Sequence, residues 1–314
     1  MNEGNTILKE RIFFGEEQVL CDQTLQITDT IIVEGGLKLK NCIIDCKHGR
    51  FEVLGTLFAE SCVIENPGQD SFCFDCGAYA IIRDTRFIFT AGQDYSCSIL
   101  NQRPASWVSL EHCIFSNTAS IRFSGMYSLF HIPYGKTENS MFYGFSDLPV
   151  LSAHQILACT FERCGAIYGG ELEENGIIAD SVFINCGSIR ADDSTVKSCH
   201  FKRLKADLCV ERSTVEDCIF EEIDCDYEAL LCIADSLVTR CSFREIRLID
   251  ECRLVTAIDS GDVEQCTFEN ISIEREPPVL FYGETLSKGI FKKRRTFEVV
   301  DEKTCIGLDN IQII

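Results

Sequence analysis

The sequence predicts an all-β chain, a single-stranded right-handed parallel β-helix solenoid of about eleven coils with capping segments at both ends. Three observations predict it. A short apolar frame recurs, in which Val196-x-x-Cys199-x-Phe201 returns as Val215-x-x-Cys218-x-Phe220, Val238-x-x-Cys241-x-Phe243 and Val263-x-x-Cys266-x-Phe268. Neighbouring copies lie eighteen to twenty-eight residues apart, the length that three short strands and three turns require. Leu is sparse at the repeat positions and no coil shows a helical apolar period, which sets aside leucine-rich repeats and α-solenoids.

Residues 1–30 alternate in the manner of strands, with Ile7, Ile12, Val19, Leu25 and Ile27 interrupted by Gly15. They are expected to form the N-terminal cap and first coil, because a solenoid end otherwise exposes unpaired backbone and core. Residues 31–273 carry the regular coils. The frame starts as Leu39-x-x-Cys42-x-Ile44 and Cys62-x-Ile64, then strengthens through Thr85-x-Phe87 and Leu110-x-x-Cys113-x-Phe115. Ile156-x-x-Cys159-x-Phe161 and Ile178-x-x-Ser181-x-Phe183 follow, and Ser140-x-Phe142 is a further copy. Residues 117–157 break the rhythm with many aromatic residues among Gly125, Pro133, Gly135 and Pro149, as an elaborated coil or long excursion would. Residues 274–314 change composition through Pro277-Pro278 and the basic cluster Lys292 to Arg295; the strand-like Phe297 to Val300 and Ile311 to Ile314 suit a C-terminal cap or tail. The whole of 1–314 reads as one domain.

The frame also carries geometry. Cys and Phe lie two apart and so face one side of a strand, whereas Val, three before Cys, is out of phase with it. A bend must separate them, and the residues there are polar: Lys197-Ser198, Glu216-Asp217, Thr239-Arg240 and Glu264-Gln265. A second corner precedes Cys164, Cys186, Leu204, Ile223, Ile246 and Ile271, and Asp193-Ser194, Arg212-Ser213, Asp235-Ser236 and Asp259-Ser260 mark a third.

A net charge of −20 disfavours nucleic acid and anionic membrane as partners, because carboxylates outnumber the cations that would neutralise phosphate. No apolar run approaches the length of a membrane span. The polar start Met1-Asn2-Glu3-Gly4 does not resemble a secretion signal. Twenty cysteines then read as reduced thiols, most of them filling one small inward position, and a cytoplasmic location is expected. Cys73-x-x-Cys76 lacks a second ligand pair, and His48, His112, His131, His154 and His200 show no ligand spacing, so no metal and no cofactor are expected.

The recurring Cys-x-Phe with small polar corners resembles the pectin-lyase-like superfamily of right-handed parallel β-helices, over roughly residues 30–275. The resemblance implies two chemistries on acidic polysaccharides: lyase action by a calcium-assisted basic residue, with calcium as the cofactor, or hydrolysis by paired aspartates. Both need converging carboxylates. Asp192-Asp193 is the one adjacent aspartate pair, with Asp180 a coil earlier and Asp207 or Glu211 a coil later. The Gly-His-Gly motif of the family's hydrolases is absent. The plainer reading makes Asp193-Ser194 a turn held by side-chain hydrogen bonds.

The expected function is therefore a non-catalytic binding or scaffold protein that presents an elongated surface to a protein or glycan partner. Trp107, Tyr127, Tyr134 and Tyr143 are the candidate ligand-stacking rings, if the excursion leaves them exposed. The alternative is an atypical lyase or hydrolase built on Asp180, Asp192 and Asp193. Outward positions such as Ile43, Val63, Ile114, Val182 and Ile219 form a broken apolar stripe, suited to self-association or to cover by the excursion. The acidic runs Glu171 to Glu174 and Glu221 to Glu228 read as solvated turns.

Overall fold

Short apolar stretches of period two, each closed by a polar corner, become parallel strands stacked coil upon coil. The computed structural model describes residues 5–8, 11–13, 17–170, 175–227, 229–249, 252–258, 261–273, 281–282, 285–287, 290–292 and 312–313. Among the described residues every regular element is a strand, and the chain is a parallel β-solenoid of about eleven turns. It divides into two compact units, Met1–Thr160 and Phe161–Ile314. The tail prolines, the residues 293–300, the acidic run 171–174 and the corner Asp259-Ser260 lie outside the described residues.

In the first unit one ladder runs through Thr24–Ile27, Ile43–Asp45, Val63–Glu65, Arg86–Phe89, Ile114–Asn117 and Met141–Tyr143. A second joins Thr30–Val33, Arg50–Val53, Phe72–Phe74 and Leu100–Gln102 to the first residues of Phe130–Glu138. A third joins Gly36–Lys40, Thr56–Glu60, Tyr79–Arg83 and Trp107–Glu111 to the last residues of that long strand. The second unit repeats the plan. Its Phe-bearing ladder holds Val182–Ile184, His200–Lys202, Ile219–Cys225, Ser242–Leu248 and Thr267–Glu269. Ile189–Asp192, Leu208–Glu211, Ala229–Ala234 and Arg253–Ile258 make the second ladder. Gly176–Ala179, Ser194–Lys197, Thr214–Glu216, Leu237–Thr239 and Asp262–Glu264 make the third.

The predicted bends are real, and each one turns on a residue in the left-handed region. Asp180, Ser198, Asp217, Arg240 and Gln265 share one column of corners, with φ between 52° and 54°. Asn175, Asp193, Arg212 and Asp235 share another; Arg163, Asn185, Arg203, Glu222, Glu245 and Asn270 share the third. Asn and Asp tolerate this conformation, but Arg and Glu adopt it at a cost of about 1 kcal/mol or more. Corner N–H groups donate to the following coil, as in Asp180 to Lys197 O at 3.0 Å and Ser198 to Glu216 O at 3.0 Å.

In the third column the residue after the corner is the buried Cys164, Cys186, Leu204, Ile223, Ile246 or Ile271; in the other two it points inward and is small. Its side chain donates back to the carbonyl two residues earlier: Cys199 Sγ to Lys197 O at 3.3 Å, Cys218 Sγ to Glu216 O at 3.2 Å, Ser181 Oγ to Ala179 O at 2.8 Å. Thr85 and Ser140 do the same in the first unit. The cysteine column is thus a column of compact buried donors in which hydroxyl and thiol exchange freely. Every cysteine among the described residues is a free thiol. Burial pushes Cys46 and Cys113 up to about 12 and Cys159 to about 11, so these remain protonated at neutral pH.

Phe fills the wide inward position. Phe161, Phe183, Phe201, Phe220, Phe243 and Phe268 stack with centroids 4.7–5.1 Å apart, each ring over the next. Phe220 is fully buried, between Phe201 at 4.7 Å and Phe243 at 4.7 Å. Replacing it with Ala removes contacts on two sides and opens a cavity that the ladders cannot close. Phe220→Ala is expected to cost about 3–5 kcal/mol by denaturant unfolding; a cost under about 1 kcal/mol would contradict this packing.

Candidate functional site

Asp192 ends one strand, Asp193 is the left-handed corner, and Ser194 opens the next strand. Ser194 Oγ donates to Asp192 O at 2.7 Å, and Ser194 N–H donates to Ser213 Oγ of the following coil at 3.0 Å. Ser213 N–H in turn donates to Ser236 Oγ at 3.0 Å, so the Asp-Ser corners form a continuous serine ladder. The carboxylates beside it are engaged. Arg212 grips Asp193 through two parallel hydrogen bonds, Nε to Oδ1 at 2.7 Å and the terminal nitrogen to Oδ2 at 2.6 Å. Asp192 accepts from Arg190 Nε at 2.8 Å.

Asp180 occupies a different column of corners, at the far end of the Gly176–Ala179 strand, and is exposed. A four-residue strand spans roughly 13 Å, so its carboxylate does not join the other two. Of the expected neighbours, Glu211 is in register with Asp192. Asp207 turns instead toward Ser188 and Cys209, with Ser188 Oγ donating to its Oδ1 at 3.1 Å. The arrangement holds turns; it does not assemble a pair of carboxylates around an open position.

The aromatic candidates separate in the same way. Trp107 projects outward on the third ladder of the first unit, in register with Tyr79, which is 42% exposed. Phe58 packs edge-on against Tyr79 at 6.3 Å. Tyr134 lies two residues before Lys136, and Lys136 pairs with Ser109, two residues after Trp107, so Tyr134 continues the Trp107 row. Phe58, Tyr79, Trp107 and Tyr134 therefore share one face. Along its edge runs a ladder of charges: Arg83 to Glu60 at 2.8 Å, Lys136 to Glu111 at 3.2 Å and Lys136 to Glu138 at 3.0 Å.

Tyr127 and Tyr143 are elsewhere. Tyr127 stacks on His131 at 4.3 Å, and Tyr143 faces outward beside Ser116 on the Phe-bearing ladder. Most rings of the excursion belong to the core: Phe130, Phe142 and Phe145 are buried, and Phe130 and Phe145 lie 5.9 Å apart. The excursion adds its own short parallel pair, Asp94–Tyr95 with Arg122–Phe123. Of the outer apolar stripe, Ile43 is 45% exposed and Val63, Ile114, Val182 and Ile219 are half-buried.

Sequence reasoning looked for rings where the rhythm breaks and so passed over Phe58 and Tyr79. The signal was present, since Tyr79 and Trp107 are twenty-eight residues apart, as are Thr85 and Cys113.

No protein-family model matches the chain, and no curated protein matches it in sequence. Among solved structures the chain is similar to PfbA, a surface adhesin of Streptococcus pneumoniae. That match has 12% identity and a TM-score of 0.36, covering 87% of this chain and 82% of the adhesin chain. A second structure of PfbA matches at 10% identity, with 88% and 89% covered and a TM-score of 0.34.

The ion pairs predict an acid response. Arg212 holds the Asp193 carboxyl below the usual range, Lys197 and Arg240 do so for Glu216, and Arg240 does so for Asp217. A carboxyl depressed in the folded state contributes stability above its unfolded pKa of ~4 and loses it as the pH falls through the lower folded value. Unfolding midpoints should hold from about pH 7 to about pH 5 and drop below about pH 4. Arg212→Ala with Arg240→Ala should flatten that drop; an unchanged acid limb in the double variant would contradict the assignment.

Proposed function

We propose that the protein is a non-catalytic binding protein whose first unit presents the Phe58, Tyr79, Trp107 and Tyr134 face to a glycan. The observation that carries this reading is the register of Tyr79 and Trp107 on one parallel ladder, with Tyr79 substantially exposed. Rings on successive coils repeat at about 4.8 Å and offer flat apolar faces, which suit the C–H faces of sugars. The charged edge of the same face supplies hydrogen-bonding groups for hydroxyls. A net charge of −20 favours a neutral or cationic glycan over a polyanion.

The engagement of Asp192 and Asp193 by arginines, with Asp180 on another corner, supports binding over turnover. A general acid and base must converge on one substrate bond, whereas these carboxylates serve the backbone corners and their cations.

Affinity electrophoresis against neutral and cationic polysaccharides tests the proposal. Retardation is expected, and Tyr79→Ala or Trp107→Ala should each weaken it by roughly 2- to 10-fold, the worth of one stacked ring. Assays for reducing ends and unsaturated products, with and without calcium, should stay at background. Turnover abolished by Asp192→Asn or Asp193→Asn would overturn the reading, as would binding indifferent to both ring substitutions.

A further inference from the structure

The second ladder of the second unit carries a cluster that neither the corners nor the aromatic face explains. Cys209 and Cys232 are register partners on adjacent parallel strands. Both face outward, because their strand neighbours Leu208, Val210, Leu231 and Ile233 fill the core. Asp207, two residues before Cys209, shares that side, as the period of two requires. The Asp207 carboxylate oxygen and the two sulfurs all lie within 4.8 Å of one another. Cys209 Sγ donates to Asp207 Oδ2 at 2.9 Å, and the two thiols hydrogen-bond with each other.

We infer that Asp207, Cys209 and Cys232 form a binding site for one thiophilic divalent cation, with Zn2+ the ion its donor set fits best. Two thiolates and a carboxylate are soft-to-borderline ligands, and a tetrahedral Zn2+ at ~2.3 Å from sulfur and ~2.0 Å from oxygen places its ligand atoms about 3.5–3.8 Å apart. The three ligand atoms already lie within 4.8 Å of one another, so that spacing calls for shifts on the order of 1 Å. Binding breaks two S–H bonds and forms two metal–sulfur bonds. Both protons leave to solvent, and no electron is transferred.

The surroundings fit a metal centre. Ser188 Oγ donates to the second oxygen of Asp207, which fixes the direction in which the carboxylate presents its free oxygen. Arg190 precedes Cys209 in register, and its charge offsets the residual negative charge of two thiolates, one carboxylate and a divalent ion. Thr256 follows Cys232 in the same column; it is only 6% exposed, and its hydroxyl has no hydrogen-bond partner among the described residues. Buried polar groups without partners are costly and call for an explanation. A fourth ligand on the ion, a water or a small anion, gives the Thr256 hydroxyl something to bond.

Cobalt titration of the full chain tests the site, since tetrahedral thiolate-bound Co2+ has intense visible bands and a sulfur-to-metal charge-transfer band. The expected result is one Co2+ per chain with both features, displaced by one equivalent of Zn2+. Cys209→Ser and Cys232→Ser should each weaken binding by more than about 100-fold, beyond what loss of a hydrogen bond to a ligand costs. The exposed Cys76 and Cys97 serve as controls, and Cys76→Ser with Cys97→Ser should leave the spectrum unchanged. Asp207→Asn, which leaves every thiol in place, should weaken binding and alter the visible bands. Absence of the charge-transfer band, its survival in Cys209→Ser and Cys232→Ser, or its loss in the control would overturn the inference. So would a Cys209–Cys232 disulfide in the peptide map of the unreduced protein.

Discussion

The structure depends on how the backbone turns a corner three times per coil. At each corner one residue adopts the left-handed conformation, and the next side chain enters the core. The third column admits Leu204, Ile223, Ile246 and Ile271 there, but in the columns of Cys218 and Ser213 a wide residue would collide with the coil above, and an apolar one would leave the bend without its side-chain hydrogen bond. Cys, Ser and Thr meet both demands, as Cys218, Ser213 and Thr85 show by donating to the carbonyl two residues earlier. The strain of holding Arg212 or Arg240 at positive φ is offset by the backbone bond from each corner to the next coil.

This geometry separates what was legible in the sequence from what was not. Val196-x-x-Cys199-x-Phe201 announced its own bend, because Val and Cys are out of phase for a single strand, and the bend is there. The exchange of Cys for Ser181, Thr85 or Ser140 was visible as a pattern, but its reason lies in hydrogen bonds that no spacing reveals. The excursion at 117–157 misled by composition. Its aromatic residues suggested a cover or an exposed platform, yet Phe130, Phe142 and Phe145 belong to the core, because an inserted coil must also fill the wide inward position. Outward residues were legible only by carrying the coil register across copies. Cys209 and Cys232 lie twenty-three residues apart, as do Cys218 and Cys241, and it is this equality that brings two thiols together on the surface.

The outer faces obey a second constraint. In a parallel in-register stack every outward residue meets the same position of the next coil, so like charges would meet like charges at strand spacing. One row alternates sign, with Lys202, Glu221 and Arg244 in register, whereas where Asp192 meets Glu211 the neighbouring Arg190 pairs with Asp192 along the strand. Glu221 sits between Lys202 at 3.2 Å and Arg244 at 2.9 Å. Exposed pairs of this kind contribute little stability each, but they hold neighbouring coils in complementary charge register. Asp193 illustrates the point, since the arginine that follows it by one coil takes both of its oxygens.

The corner is the claim on which the rest stands, and denaturant unfolding of Cys218→Ser against Cys218→Val tests it most directly. If the position requires a compact donor, Ser stays within about 1 kcal/mol of the native chain, whereas Val, apolar and branched, falls below it by more than that. Native-like stability in Cys218→Val together with a large loss in Cys218→Ser would contradict the account and reduce the cysteine column to ordinary apolar packing.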